Sequence, residues 1–352
     1  MTTAVPAVRN AVRHWLEKYE AGDKVLVAVS GGADSLALAH ALAVEAKKLA
    51  ITVIGVTVDH QLQDASAIQA ERVVQQLSQM EISCLIKKVN VEINNGLEAS
   101  ARKARYEAIE KTAKDENAVA VFLGHTKDDQ AETVLLGLAR GSGTRSLSGM
   151  ADHTGIYVRP LLEITRAQSE EFCNEVGLNF WIDPHNSDSQ FARVRVRTEA
   201  LPTLEKTIGP GISDALARSA HLLRDDADAL DHWAKREEIH LDLADLDCAH
   251  LETLPRAIRT RILRTAIYAA GAPSGSVSSS RDLSEYSYRK YCSNDPEEWP
   301  TKNLATLGDR PLRSILARKT FLQWLLWLLY LRHMWGCVSL VIIHTCAWQA
   351  HR

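Results

Sequence analysis

Two rhythms of apolar positions alternate along the first half of the chain. Short unbroken apolar runs read as buried strands: Lys24–Val29 (KVLVAV), Ile51–Val58 (ITVIGVTV), Ser83–Val89 and Ala118–Leu123 (AVAVFL). Between and after them lie stretches with helical spacing, over Asp34–Ala50, Asp64–Met80, Leu97–Asp115 and Thr126–Ala139. Strand–helix repetition with continuously apolar strands predicts an α/β fold, a Rossmann-like doubly wound parallel sheet covered on both faces. Such sheets bind ligands outside the carboxyl ends of their strands. The loops at 30–35, 59–63, 124–129 and 140–146 are therefore expected along one edge.

Further on, Ile156–Arg159 reads as a short strand, Arg166–Val176 as a helix and DPHNSDS as a polar turn. Leu201–Glu205, Ile212–Ala234 and Leu254–Ala270 have helical spacing. After Gly271 the pattern lapses. GAPSGSVSSSR has the composition of a linker. The rest holds five of the eight tryptophans and three of the six cysteines with no clear period. Its apolar run Phe321–Leu331 has 11 residues, short of the ~20 that span a bilayer, and reads as a buried or aberrant helix. The expected divisions are an α/β domain over 1–200, a helical or linker domain over 201–270, and an atypical tail over 271–352.

Charge narrows the function classes. The 352 residues carry a net charge of −3, so any nucleic-acid site must be a local patch. The six cysteines form no CxxC pair, which argues against a zinc ribbon, an iron–sulfur cluster or a redox motif. The N-terminal segment has no apolar signal core, so a cytoplasmic chain without a membrane partner is expected.

The strongest chemical signal is Ser30-Gly31-Gly32-Ala33-Asp34-Ser35, between a predicted strand and a predicted helix. Glycines let backbone approach an anion, and a helix N-terminus offers unpaired N–H groups. The segment has neither the lysine of GxxxxGK[ST] nor the spacing of GxGxxG. The second signal is Gly124-His125-Thr126-Lys127-Asp128-Asp129-Gln130-Ala131-Glu132-Thr133. At helical spacing, His125, Asp129 and Glu132 can face one cleft and hold Mg²⁺ or a cationic amine; Thr126 and Asp129 also fit a helix cap. Arg102 and Arg105 share a helical face that can grip phosphates or simply be solvated, and Arg140-Gly141-Ser142-Gly143-Thr144-Arg145 reads as an anion-binding loop or a helix end.

The Ser30–Ser35 hexapeptide resembles the pyrophosphate loop, SGGxDS, of the N-type ATP pyrophosphatases. With GLEASARKARYEAI, GHTKDDQAETVLLGLARGSG, VRPLL and WIDPHNSDSQFARVRVRTEALPTLE in that order, the chain resembles the tRNA(Ile)-lysidine synthetases. The resemblance implies an adenine nucleotide alpha hydrolase-like sheet followed by a helical domain. It implies ATP and Mg²⁺ as cofactors, with L-lysine and a tRNA(Ile) bearing a CAU anticodon as partners; a homodimer is left open. The implied reaction adenylylates the wobble cytidine, after which the lysine amine displaces AMP to give lysidine. By resemblance, Ser30, Gly31, Gly32, Ala33, Asp34 and Ser35 hold ATP, with Asp34 beside Mg²⁺. Asp59 and His60 lie at the adenine-side strand end, and His125 and Asp128 line the nucleotide site. Asp129 and Glu132 recognise or deprotonate lysine, and Arg102 offsets phosphate charge. The basic triplet Arg193, Arg195 and Arg197 reads either as a tRNA contact or as simple surface charge.

The chain departs from the family at Gln61, where Gly is common, and at Val194, where Asn is common. Residues from about 275 onward match nothing in its pattern and look like an out-of-frame translation or a lineage-specific tail. Two other enzyme classes would share the pyrophosphate loop or the fold. A tRNA 2-thiolation enzyme usually needs cysteine pairs, and an ammonia-using ligase lacks the Arg-Gly-Ser-Gly and Asp-Pro-x-Asn blocks. A relic that has lost tRNA docking is the non-catalytic alternative.

Overall fold

A computed structural model describes residues 4–60, 66–89, 97–141, 143–183, 188–244, 246–269 and 271. The readings of Gln61, Ser142, the 184–187 turn and the tail from 272 on lie outside the described residues. The chain divides into two units, one ending at Asp225 and the other beginning at Asp226.

The first unit is built on one sheet. Its strands are β1 (Lys24–Ala28), β2 (Thr52–Asp59), β3 (Ser83–Lys88), β4 (Ala120–Leu123), β5 (His153–Thr154) and β6 (Tyr157–Val158). The order is β3-β2-β1-β4-β6-β5, parallel throughout except for the terminal β5–β6 hairpin. The central register sets Val27 opposite Gly55 on one side and Phe122 on the other. Period-two alternation divides β1 between two cores. Val25 and Val27 pack with one face's helices, whereas Leu26 joins Ile54, Val121 and Ile109 on the other.

The helices α1 (Ala4–Leu16), α2 (Ala33–Lys48), α3 (Ser66–Gln79) and α4 (Leu97–Glu116) follow their strands, or in α1 precede them. The apolar pattern set out above includes no helix at α1. Its Ala4, Val8, Val12 and Leu16 recur every four residues and are fully buried. Against this helix lies Glu45 of α2, only 1% exposed, bonded by Arg9 (2.6 Å), Arg13 (2.9 Å) and Lys48 (2.8 Å). Burial alone would raise its pKa, but the three cations hold it down at about 2.

After β4 come α5 (Lys127–Ala139), α6 (Thr144–Leu147), α7 (Arg166–Glu175), α8 (Ala192–Arg195), a π-helical turn (Val196–Ala200) and α9 (Leu201–Thr207). The wide turn has a local cause. Pro202 lacks the N–H that would close the bond to Thr198, and Leu201 N–H donates instead to Val196 C=O, five residues back. The long α10 (Ile212–Glu238) begins in this unit, where Asp214 pairs with Lys127 (3.1 Å) and Arg224 donates to Ser148 and Gly149 C=O (both 2.7 Å). Residues 201–225 fall in the first unit.

The second unit completes α10 and adds α11 (Cys248–Thr253) and α12 (Arg256–Ala269). Its core is Ala234, Leu246, Leu251, Ile258, Ile262 and Ile267, with Arg261 bonded to Asp231 at 2.5 Å. Among the described residues, no helix is long and apolar enough to cross a membrane.

Candidate nucleotide and acid site

The parallel order carries Ser30, Asp59, His60, Gly124 and His125 to the carboxyl ends of β1, β2 and β4, along one edge. The Ser30–Ser35 loop is held from within by its hydroxyls. Ser30 N–H donates to Ser35 Oγ (3.2 Å), and Ser35 Oγ donates to Gly32 C=O (2.9 Å). Gly31 adopts φ +88°, the left-handed region that favours glycine, and its C=O accepts from Trp181 N–H (2.8 Å). From below, Cys173 Sγ bonds Ala33 C=O (3.4 Å); burial pushes this thiol up to about 12, so it stays protonated. The next strand end is equally tight. A Cβ on Gly124 would lie 3.0 Å from Asp34 O and 3.1 Å from Ser35 Cα. The loop therefore presents the start of α2, where N–H groups lack helical partners, to the strand edge.

Asp34 projects from that first turn. One oxygen, Oδ2, lies 3.6 Å from Arg166 Nε, and the other, Oδ1, is buried without a hydrogen-bond partner among the described residues. Burial, supported by the nearby Asp129 and Asp128 charges and opposed by Arg166 and by the neighbouring Ser169 hydroxyl, raises its pKa to about 6.

The two oxygens of Asp129 have different partners. Oδ2 accepts from Thr126 N–H (2.9 Å) and Thr126 Oγ1 (3.1 Å), a capping box at the start of α5. Oδ1 faces Arg166 and Arg193, both at 3.4 Å, and Arg197 at 3.7 Å. Burial would raise this carboxyl, but Arg193 and Arg166 outweigh it and hold the pKa below its usual value. Asp129 is thus a helix cap and an ion-pair partner at once. Glu132, one turn on, is fully buried and bonded by Arg193 Nε (2.7 Å) and by Arg197 Nε (2.6 Å) and Nη2 (3.1 Å), with Arg166 Nη1 at 3.6 Å. Asp128 faces elsewhere, and its Oδ2 accepts Arg166 N–H (2.7 Å) at the start of α7.

The arginine triplet does not form one surface. Arg193 and Arg197, four apart, serve Glu132 and Asp129, whereas the exposed Arg195 donates to Ser189 and Gln190 C=O (2.6 and 2.9 Å). Arg102 is exposed and lies over the Tyr106 ring (5.2 Å), outside the acid cluster. His125 is half-buried, and burial, helped by Arg105, Arg159 and Arg102 against Asp129, pushes it down to about 3; it is neutral near pH 7. Burial and Arg105 likewise lower His60. Asp59 is buried at the end of β2. Sequence reasoning misses Arg166, which touches acids from both motifs; a lone arginine opening a helix carries no local signature.

A Ser-Gly-Gly loop feeding a helix N-terminus, with a carboxylate in its first turn and an acid–arginine cluster on the neighbouring strand end, defines a PP-loop ATP-using domain. The family described as PP-loop domain matches residues 6–204. The tRNA(Ile)-lysidine synthase of Thermobifida fusca is 53% identical over 277 residues, 78% of this chain and 85% of that one. The Streptomyces coelicolor tRNA(Ile)-lysidine synthase is 52% identical over 72% of this chain and 74% of its own. The U34-tRNA thiolase NcsA from Methanococcus maripaludis, with its [4Fe-4S] cluster, shares the fold. Its TM-score is 0.53 at 18% identity, covering 63% of this chain and 80% of that one. The chain belongs to the tRNA(Ile)-lysidine synthase family, ATP-dependent ligases.

Proposed function

We propose that this chain uses ATP to adenylylate C2–O of the wobble cytidine in a CAU-anticodon tRNA(Ile), and that the L-lysine ε-amine then attacks C2. The first step forms a phosphorus–oxygen bond and releases pyrophosphate. In the second, a carbon–nitrogen bond forms, the C2–O bond breaks with AMP leaving, and the amine gives up its protons. The observation that carries the reading is the joining of a phosphate-type loop and a buried acid pair by one residue, Arg166, at ion-pair distances of 3.4–3.6 Å.

The geometry supports the following roles. The backbone of Gly31, Gly32 and Ala33 approaches the phosphates. Asp34 suits Mg²⁺, because its Oδ1, which accepts no hydrogen bond within normal geometry among the described residues, is a hard oxygen donor. That ion, when bound, supplies charge neutralisation on the departing pyrophosphate. Neutral His125 and His60 border the nucleotide without adding charge. Asp129 Oδ1 takes the lysine ammonium and later its proton. Glu132, already bonded by two arginines, orients them rather than acting as a free base. Arg102 and Arg105 stand on α4 for phosphate charge, and the outward Arg195 is assigned to tRNA. The domain roles, a homodimer and a cytoplasmic location remain parts of this proposal; light scattering reads the dimer.

The test is radiolabelled lysine incorporation into tRNA(Ile) with a CAU anticodon, together with AMP release, for the wild type and Asp129→Asn. Asparagine keeps an oxygen for the Thr126 cap but loses the charge. Incorporation by wild type and its loss in a folded Asp129→Asn support the reading. No incorporation by wild type overturns it.

A further inference from the structure

Two side chains hold the turn Ser148–Met150. Gln130, on α5 between Asp129 and Glu132, bonds both backbone groups of Met150: its Nε2 donates to Met150 C=O (2.8 Å), and its Oε1 accepts Met150 N–H (2.6 Å). Arg224 of α10 closes the other side, where Nη2 donates to both Ser148 C=O and Gly149 C=O (2.7 Å each). Gly149, at φ +60°, lies so close that a Cβ there would sit 2.5 Å from Gln130 Oε1. The turn is thus wedged between α5 and α10. The Lys127–Asp214 ion pair (3.1 Å) ties α10 to the same stretch of α5 a second time.

Lys127 and Gln130 bracket Asp129 along α5. Gln130 N–H also bonds Thr126 C=O (3.2 Å), and Thr126 N–H and hydroxyl hold Asp129 Oδ2. With Oδ2 so fixed, the aim of Oδ1 follows the placing of this one helical turn. The Ser30–Ser35 loop is held by other partners: Trp181, Cys173 and its own hydroxyls.

We infer that Arg224 is a positioning residue for amine transfer: by pinning Ser148–Met150 against Gln130 it sets the first turn of α5, and with it the aim of Asp129 Oδ1 at the incoming amine. The inference rests on the role given to Asp129 under Proposed function. Arg224 touches no reacting atom and acts through Gln130. Arginine suits the task, because it stays charged and a charged donor bonds carbonyls more strongly than a neutral one.

The experiment compares wild type, Arg224→Met, Arg224→Lys, Gln130→Met and the double variant Arg224→Met/Gln130→Met. It measures kcat and the lysine KM in tRNA lysine transfer, and equilibrium affinity for a non-hydrolysable ATP analogue. Arg224→Met keeps an apolar stem and is expected to raise the lysine KM about tenfold, because a displacement of about 1 Å at a reacting group costs up to ~100-fold. Affinity for the ATP analogue should stay at the wild-type value. Loss of folded protein alone would lower kcat and leave KM unchanged. Arg224→Lys, whose ammonium can donate to both carbonyls, should return most of the lysine affinity. The double variant should be no worse than Gln130→Met, because both residues act through one turn. If Arg224→Met does not fold, Arg224→Gln, which keeps a neutral donor, takes its place. Hydrogen exchange reads the coupling directly: in the Arg224 variant, Met150 N–H and Gln130 N–H should both exchange faster. A folded neutral variant with the wild-type lysine KM overturns the inference, as does ATP affinity that falls in step with lysine affinity. Losses that add in the double variant overturn the route through Gln130. If wild type transfers no lysine, the proposed function fails instead and hydrogen exchange decides the inference alone: faster exchange at Met150 with Gln130 unchanged overturns it.

Discussion

Adjacent glycines in the Ser30–Ser35 loop separate what the fold needs from what a ligand needs. Gly31 sits at φ +88°, and a Cβ there would collide with the Gln69 side chain and lie 3.1 Å from Val73 Cγ2. Left-handed backbone costs an ordinary residue about 1–2 kcal/mol, and the Gln69 amide must also swing aside. Gly31→Ala is therefore expected to lose about 1–3 kcal/mol, or roughly 3–10 °C in Tm for a unit of this size. Gly32 is different. Its φ of −75° suits alanine, and the added Cβ meets nothing nearer than Ser30 Oγ at 3.7 Å and Trp181 O at 4.0 Å. On folding grounds Gly32→Ala is neutral, or stabilising by about 0.4–1 kcal/mol through the unfolded chain. If phosphate approaches the backbone there, the methyl group occupies the ligand's own space, and ATP affinity should fall at least about tenfold. Thermal unfolding and equilibrium binding of a non-hydrolysable ATP analogue read the two effects separately. A Gly32→Ala protein with unchanged Tm and unchanged affinity would refute the phosphate-cradle assignment. One with a markedly lower Tm would refute the reading of open space.

Three further outcomes follow from other contacts. Gly124→Ala pushes a methyl into backbone atoms of Asp34 and Ser35 at 3.0–3.1 Å, none of which can rotate away; stability should drop by about 1–3 kcal/mol in urea titration, with a raised KM for ATP. Glu45→Gln should cost about 2 kcal/mol at pH 7, below the roughly 3 implied by a pKa moved from 4.5 to about 2, because its cations are partly in water. A depressed carboxyl stabilises above its unfolded pKa, so the wild-type advantage should persist at neutral pH and vanish as pH falls from about 4.5 toward 2; urea unfolding across that range checks it. Asp128→Asn weakens the acceptor on Arg166 N–H and should cost about 0.3–1 kcal/mol by thermal unfolding, with lysine transfer reduced far less than in Asp129→Asn.

The strand edge is legible in the sequence because its information is local. Continuous apolar runs and a glycine-rich junction announce a parallel strand and its ligand loop without any long-range knowledge. The α1 stripe is equally local, in Val8, Val12 and Leu16, but a segment scanned only for targeting signals does not yield it. The arginine triplet is half legible. Residues 193 and 197 share a helical face and 195 does not, so periodicity alone separates them. What distinguishes Arg193 from a surface cation is Glu132, 61 residues earlier in the chain. Arg166 lies 132 residues from Asp34, and nothing near it in sequence differs from an ordinary helix start. Such pairings are set by the folded topology, and a charge pattern read along the chain does not contain them.

The sheet's two borders also bear on how the chain behaves before it is complete. An open β edge is a template on which another chain's strand can add. At one border the template is only the two residues His153 and Thr154, too short for a stable ladder. At the other, β3 is longer but ends in Lys87 and Lys88, so a like edge approaching in register would set lysines against lysines. A nascent chain that has folded its sheet, while later segments are still being made, therefore offers crowded neighbours little to copy.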